Sequence, residues 1–244
     1  MAYLVPDRIY NANGVTVKEF LLTKHNPNKI ALPSKRVLPF GGYTVHNTDE
    51  IKVSAQTTMA EQYVRSTYNG NMNDVRVHFY VDEVEAWQEL PLDWQSWHAG
   101  QKGKADANGS HIGNQATISI EVIGNSAKAE DNAARLIAWL MQTCKVGTDK
   151  LFTHNYWCNI RNGKKGTVDE LNKLPDGYKG CPVYIRPHWD EFKAKVSGYL
   201  VEQSEKNALY RVQVGAFRSK ENAEIYLARV KKDFPEAYIV KTEV

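Results

Sequence analysis

The 244-residue chain has only three cysteines, Cys144, Cys158 and Cys181, an odd number at irregular spacing. That argues against a disulfide framework, which needs paired cysteines. Cys144 lies in an apolar helical run and reads as core. No apolar stretch reaches the about 18 residues that a spanning helix requires, so no membrane insertion is expected. The N-terminal Met-Ala-Tyr-Leu-Val-Pro-Asp-Arg lacks a charged stretch followed by an apolar run and a cleavage site. A secretory signal is therefore not expected, and the chain reads as made in the cytoplasm. Charge of one sign is also missing: 31 Lys and Arg against 28 Asp and Glu leave a net +3. Nucleic acid is not implied by so small an excess, although it suits an anionic surface.

What is there is ordinary for a soluble globular protein, with 42% hydrophobic and 24% charged residues. The length accommodates one sizeable domain and a small appendage. Residues 1–40, with Pro6, Pro27, Pro33 and Pro39, read as an irregular lead-in. Gly41 to His46 reads as a short strand, and 54–67 as a helix that Ser54 could cap. Val75 to Asp82 alternates like a strand and leads to a long loop, 91–116, that carries Trp94, Trp97 and His98. A β-branched strand at Thr117–Ile123 holds Glu121, and 127–146 is an amphipathic helix. Leu151–Thr153 is a short strand, 155–180 a loop, and Arg186 to about Val201 a helix. This interleaving predicts an α/β domain with a mixed β-sheet flanked by helices.

Polar residues 202–207 read as a linker. Beyond them, Tyr210–Phe217 alternates as a strand, Ser219 could cap a helix over 220–233, and Ala237–Lys241 reads as a second strand. Together these predict one small C-terminal βαβ unit.

Two histidines and one cysteine stand out by context: His46 in Val-His-Asn-Thr, His154 in Phe-Thr-His and Cys181 in Lys-Gly-Cys-Pro. Two imidazoles and a thiolate hold a tetrahedral Zn²⁺ with one position open, as catalytic zinc sites do. A lone histidine is more often structural, and His25, His111 and His188 are read that way. What singles out the three is resemblance. Thr-Val-His46-Asn-Thr is followed by Val77-His78-Phe79-Tyr80-Val81-Asp82, Gln88 and Trp97-His98-Ala99-Gly100. Then come Ile118-Ser119-Ile120-Glu121-Val122, Thr153-His154, Lys179-Gly180-Cys181-Pro182 and His188-Trp189 to Phe192. In this order, over most of 40–195, the strings resemble the type-2 N-acetylmuramoyl-L-alanine amidases, zinc enzymes of bacterial and phage cell-wall lysis.

The resemblance implies His46, His154 and Cys181 as zinc ligands, Glu121 as general base and Lys179 as stabiliser of the oxyanion. It implies peptidoglycan as substrate, cut between the lactyl group of N-acetylmuramic acid and L-alanine. Three departures bear on this. The stretch from His154 to Cys181 is longer than usual in the family, which implies an inserted loop around Asn159–Gly177. Cys158 thereby becomes a rival third ligand. Val77 stands where some relatives have a tyrosine, which leaves more proton transfer to Glu121, and His78 reads as a hydrogen-bonded strand residue. His98 could line the groove or simply order its loop, while Trp94, Trp97 and Trp157 are either sugar-stacking or packing residues.

Tyr210-Arg-Val-Gln-Val-Gly-Ala-Phe217 and the Ser and Asn-Ala that follow resemble the SPOR repeat, which binds glycan strands. Gln213 and Phe217 hold its most characteristic positions. Such domains usually contain two βαβ halves, so the single half implies either packing on the catalytic domain or pairing between two chains, and a homodimer is the expectation. The expected organisation is a catalytic domain over 1–201, a linker over 202–207 and a wall-binding unit over 208–244. An endolysin released with the help of a holin fits the apparent lack of a signal. A non-catalytic recognition protein of the same fold is the alternative reading, and a stem-peptide zinc endopeptidase is a third.

Overall fold

A computed structural model describes residues 4–54, 56–102, 112–206 and 213–241. The chain divides into two compact units, 1–205 and 206–244.

The first unit is built on a seven-stranded mixed sheet in the order β1-β2-β5-β4-β6-β3-β7. Its centre is parallel: β3 (Gly42–Thr48) runs beside β6 (Thr117–Ile123) on one side and β7 (Leu151–Thr153) on the other. Strand β4 (Phe79–Val81) continues the sheet from β6, and β5 (Ala86–Gln88) pairs antiparallel with β4. The outer edge is a hairpin of β1 (Arg8–Ala12) and β2 (Val15–Glu19). The region expected to be an irregular lead-in thus contains two strands. Their turn is Asn13-Gly14, both at positive φ (56° and 92°), which matches the twist of tight hairpins.

The central strands have two different faces. Tyr43, Val45, Ile118, Ile120 and Val122 point into the main core, where α3 (Ala127–Cys144) covers them with Ala133, Ile137, Leu140 and Met141. The alternate residues Thr44, His46, Thr117, Ser119 and Glu121 lie on the other face because side chains alternate along a strand. A row of polar groups on an inner sheet face is expensive unless partnered. That row is where the candidate site lies.

Helix α1 (Met59–Tyr68) is shorter than the sequence suggests, and its cap is Thr58 rather than Ser54: the Thr58 side chain accepts from Glu61 N. The strand expected over Val75–Asp82 is confined to its last part. The segment expected to be loop between His154 and Cys181 instead contains α4 (His154–Arg161) and α5 (Val168–Lys173). Buried amides explain this: Asn155 and Asn159 each donate to the carbonyls of Leu171 and Leu174, and Asn172 accepts from Thr153 N at 2.7 Å. Within the 91–116 loop, Ile112–Ala116 forms the short helix α2. Among the described residues no helix is long and apolar enough to cross a membrane.

Helix α6 (Trp189–Lys206) runs through the stretch expected to be a linker, of which residue 207 lies outside the described residues. In the second unit α7 (Lys220–Val230) is capped by Ser219, as expected, but ends before 233. The two flanking strands do not form over 213–217 or 237–241, and 207–212 lies outside the described residues. A strand needs a partner for its backbone groups, and none pairs with these two segments among the described residues.

Candidate metal centre and active site

His46 on β3 is directly opposite Glu121 on β6. Register partners on parallel strands project to the same side of the sheet, so the imidazole and the carboxylate are neighbours by construction. One strand over, Val45 pairs with Thr153. The next residue along each chain is a histidine, one continuing β3 and the other opening α4. Thr153 caps that helix, its hydroxyl accepting from Tyr156 N at 2.9 Å, which turns His154 back toward His46. The two rings have centroids 4.8 Å apart.

Cys181 arrives from a loop far along the chain and is gripped through the residue after each histidine. Asn155 N donates to the Cys181 carbonyl at 2.7 Å, and Asn47 N donates to its Sγ at 3.4 Å. Asn47 Oδ1 also accepts from Tyr184 N and Ile185 N, both at 3.2 Å, tying down the far side of the loop. The donor atoms of His46, His154 and Cys181 all lie within 4.8 Å of one another, and the three residues are buried. Cys158 is not part of this group; it is buried on α4, its thiol hydrogen-bonded to Asp176 and pushed up to about 12, mainly by burial.

The protonation states suit a metal. Burial holds His46 well below the usual histidine range, helped by His154, His98 and Lys179. Burial likewise lowers His154 to about 4, although its bond to the Gly100 carbonyl works the other way. Both rings are therefore neutral, the form that ligates. His154 Nε2 donates to Gly100 O at 2.8 Å, whereas its buried Nδ1 has no hydrogen-bond partner. A buried polar atom left unpaired is costly, and this one sits in the cluster. Burial, then Glu121, pushes the Cys181 thiol up to about 12, so it ionises only if a cation joins it. Two neutral imidazoles and a thiol around an unpaired lone pair fit zinc.

Burial also raises Glu121 to about 7, and Lys179 opposes the shift. Lys179 is exposed on the loop before Cys181, and the carboxylate Oδ1 of Asp176 shapes that loop by accepting from Tyr178 N, Lys179 N and Gly180 N. Its charge acts on Glu121, His46, His154 and Cys181 alike, so the sequence candidates share one site.

A family model described as N-acetylmuramoyl-L-alanine amidase matches residues 38–170, more than half of the chain. The chain belongs to the N-acetylmuramoyl-L-alanine amidase family. Its fold is that of the family: the catalytic domain of XlyA superposes with a TM-score of 0.52 at 28% identity, covering 73% of this chain and 99% of that domain. XlyA of Bacillus subtilis (strain 168) is 33% identical over 171 residues, 66% of this chain and 48% of XlyA. CwlH of the same organism is 28% identical over 208 residues, 84% of this chain and 70% of CwlH. The chain thus spans about half of XlyA. A SPOR domain model matches residues 190–243, beginning within α6 rather than at 208.

The amidase match contains His46, Glu121 and His154 but ends before Lys179 and Cys181, which tertiary contacts alone bring in. Other sequence candidates have structural partners. His78 accepts from Ser119 N and donates to Trp94 O at 3.1 Å, and Val77 is core. His25 meets Asp7 and His188 meets Glu130, while His111 lies outside the described residues. Trp157 is buried, its Nε1 donating to Thr44 Oγ1 at 2.9 Å, so it packs; Trp94 and Trp97 are half-buried. In the second unit Gln213 and Phe217 are exposed, and the Phe217 ring lies against Tyr226. The sequence left His98 undecided between groove and loop. It is buried, with Nδ1 2.8 Å from His46 Nε2.

Proposed function

We propose that the chain is a zinc-dependent N-acetylmuramoyl-L-alanine amidase of the endolysin type. It would hydrolyse the amide between the lactyl group of N-acetylmuramic acid and L-alanine. The observation that carries this reading is the unpaired Nδ1 of His154 in a cluster with His46 and Cys181, where Glu121 is the register partner of His46.

His46 Nδ1, His154 Nδ1 and Cys181 Sγ would hold the ion. When bound, zinc acidifies a water at neutral pH and polarises the carbonyl to be cut. Glu121 takes the proton from the attacking water and returns it to the departing amine of L-alanine. Its affinity for protons near neutrality suits both halves of that exchange. The Lys179 ammonium faces the charge that grows on the carbonyl oxygen. The SPOR unit, through Gln213 and Phe217, would keep the enzyme on glycan strands. An endolysin of Bacillus subtilis superposes on this chain at 30% identity and a TM-score of 0.52, which supports cell-wall lysis as the setting. Access to the wall would then depend on a holin.

The test is digestion of purified peptidoglycan by the zinc-loaded full chain, with mass spectrometry of the new ends. Free N-terminal L-alanine together with an intact lactyl group on the sugar is the expected result. Cleavage inside the stem peptide, or none, would overturn it.

A further inference from the structure

His98 is the residue whose role the reaction does not explain, and its hydrogen bonds run in one direction. Trp157 Nε1 can only donate, and it does so to Thr44 Oγ1 at 2.9 Å. Thr44 Oγ1 is 2.9 Å from Thr117 Oγ1, which donates to the Gly113 carbonyl at 2.6 Å. With its one proton committed to Gly113, Thr117 has none for His98 Nε2, 3.3 Å away. His98 Nε2 also faces the Gly113 carbonyl at 3.0 Å, an atom that can only accept. In a neutral ring the proton of His98 is therefore on Nε2, and Nδ1 is an acceptor. His46 Nε2, 2.8 Å from that Nδ1, must carry the proton of its own ring. The lone pair of His46 is left on Nδ1, which points at Cys181 Sγ across 3.7 Å.

We propose that His98 is a positioning residue that fixes His46 in the Nε2–H tautomer and so aims its Nδ1 at the metal. The proposal rests on the reading of His46 as a ligand, while the tautomer itself is a property of the metal-free protein. A histidine that holds a metal-binding histidine through its second ring nitrogen sets both tautomer and ring orientation. The frame around His98 is rigid. Asn114 Oδ1 accepts from His98 N at 2.9 Å and from Ala99 N at 2.7 Å. Gly113 has no side chain where one would meet Ala99 Cβ at 2.7 Å and the Trp157 ring at 2.9 Å, so its carbonyl can approach His98.

The experiment uses the full chain with His98→Leu and His98→Asn; asparagine keeps an acceptor oxygen near the place of Nδ1. Zinc affinity is measured by competition with a chromophoric chelator, and the tautomers of His46 and His98 are read from ¹⁵N shifts of the metal-free protein. We expect protons on Nε2 of both rings in the wild type. His98→Leu should weaken zinc binding by about 10- to 100-fold, with His98→Asn recovering most of the loss. A His46 proton on Nδ1 in the wild type, or wild-type zinc affinity in His98→Leu, would overturn the proposal. If His98→Leu does not fold, His98→Asn and the wild-type spectrum decide. A wild type that binds no zinc would instead sink the metal reading, and the spectrum would still judge the tautomer.

Discussion

His46 and Glu121 occupy one register position on adjacent parallel strands, so a candidate ligand and a candidate base stand side by side on the sheet. Their spacing is set by backbone hydrogen bonds and not by a loop. Rigid strands hold reacting groups more closely than loops do.

Glu121→Gln keeps the shape of the side chain but cannot take a proton. Zinc content should stay at the wild-type level while turnover on peptidoglycan falls roughly 10²- to 10⁴-fold, the usual worth of a positioned base. Loss of zinc along with turnover would make Glu121 a structural partner of the site instead.

Lys179→Met removes the positive charge that opposes the effect of burial on Glu121. The Glu121 carboxyl of the metal-free protein should then titrate above about 7, because a nearby cation favours the ionised form. A ¹³C-detected titration of the carboxyl carbon measures this, and a downward or absent shift would contradict it.

The two buried cysteines should separate cleanly. Cys181→Ser should lower bound zinc from about one ion per chain toward none, since one of three protein ligands is lost. Cys158→Ser should leave zinc content unchanged, because that thiol pairs with Asp176 and is not among the clustered donors. Metal analysis after gel filtration reads both, and the reverse pattern would move the third ligand to Cys158.

Glu89 is a fully buried carboxyl that accepts from Val77 N at 3.1 Å and is raised from 4.5 to about 8, chiefly by burial. Between those pH values the folded protein holds a proton that the unfolded chain has released. Stability from this group is present below 4.5 and is lost as pH rises toward about 8, with a slope approaching about 1.4 kcal/mol per pH unit. Glu89→Gln should flatten that fall, so its advantage in melting temperature over the wild type should grow from pH 5 to pH 8. A constant difference would refute the assignment.

Legibility varied along the chain for physical reasons. Thr117–Ile123 was readable because a buried central strand is β-branched and apolar, and Leu151–Thr153 because this edge strand is a short, wholly buried run bounded by polar residues. The first hairpin was missed despite the turn signal Asn13-Gly14, because Pro6, Pro27, Pro33 and Pro39 gave residues 1–40 as a whole a loop-like composition. Helices α4 and α5 were hidden because their stretch is rich in Asn, Gly and Lys. Its asparagines point inward to carbonyls that only the folded chain presents, as at Asn155, Asn159 and Asn172. His98 was ambiguous for the same reason, since its role depends on Gly113, Thr117 and His46.

The sequence by itself determined the mixed α/β pattern, the family and the candidate residues His46, Glu121, His154, Lys179 and Cys181. Each sits in a short context whose chemistry is local: a strand, a helix start or a turn. Only the tertiary structure decided between Cys181 and Cys158 as neighbour of the histidines, made helices of the stretch between His154 and Cys181 that reads as loop, and gave His98 a direction. Those outcomes depend on hydrogen bonds between segments distant along the chain, whose directions are set by which atom can donate and which can only accept.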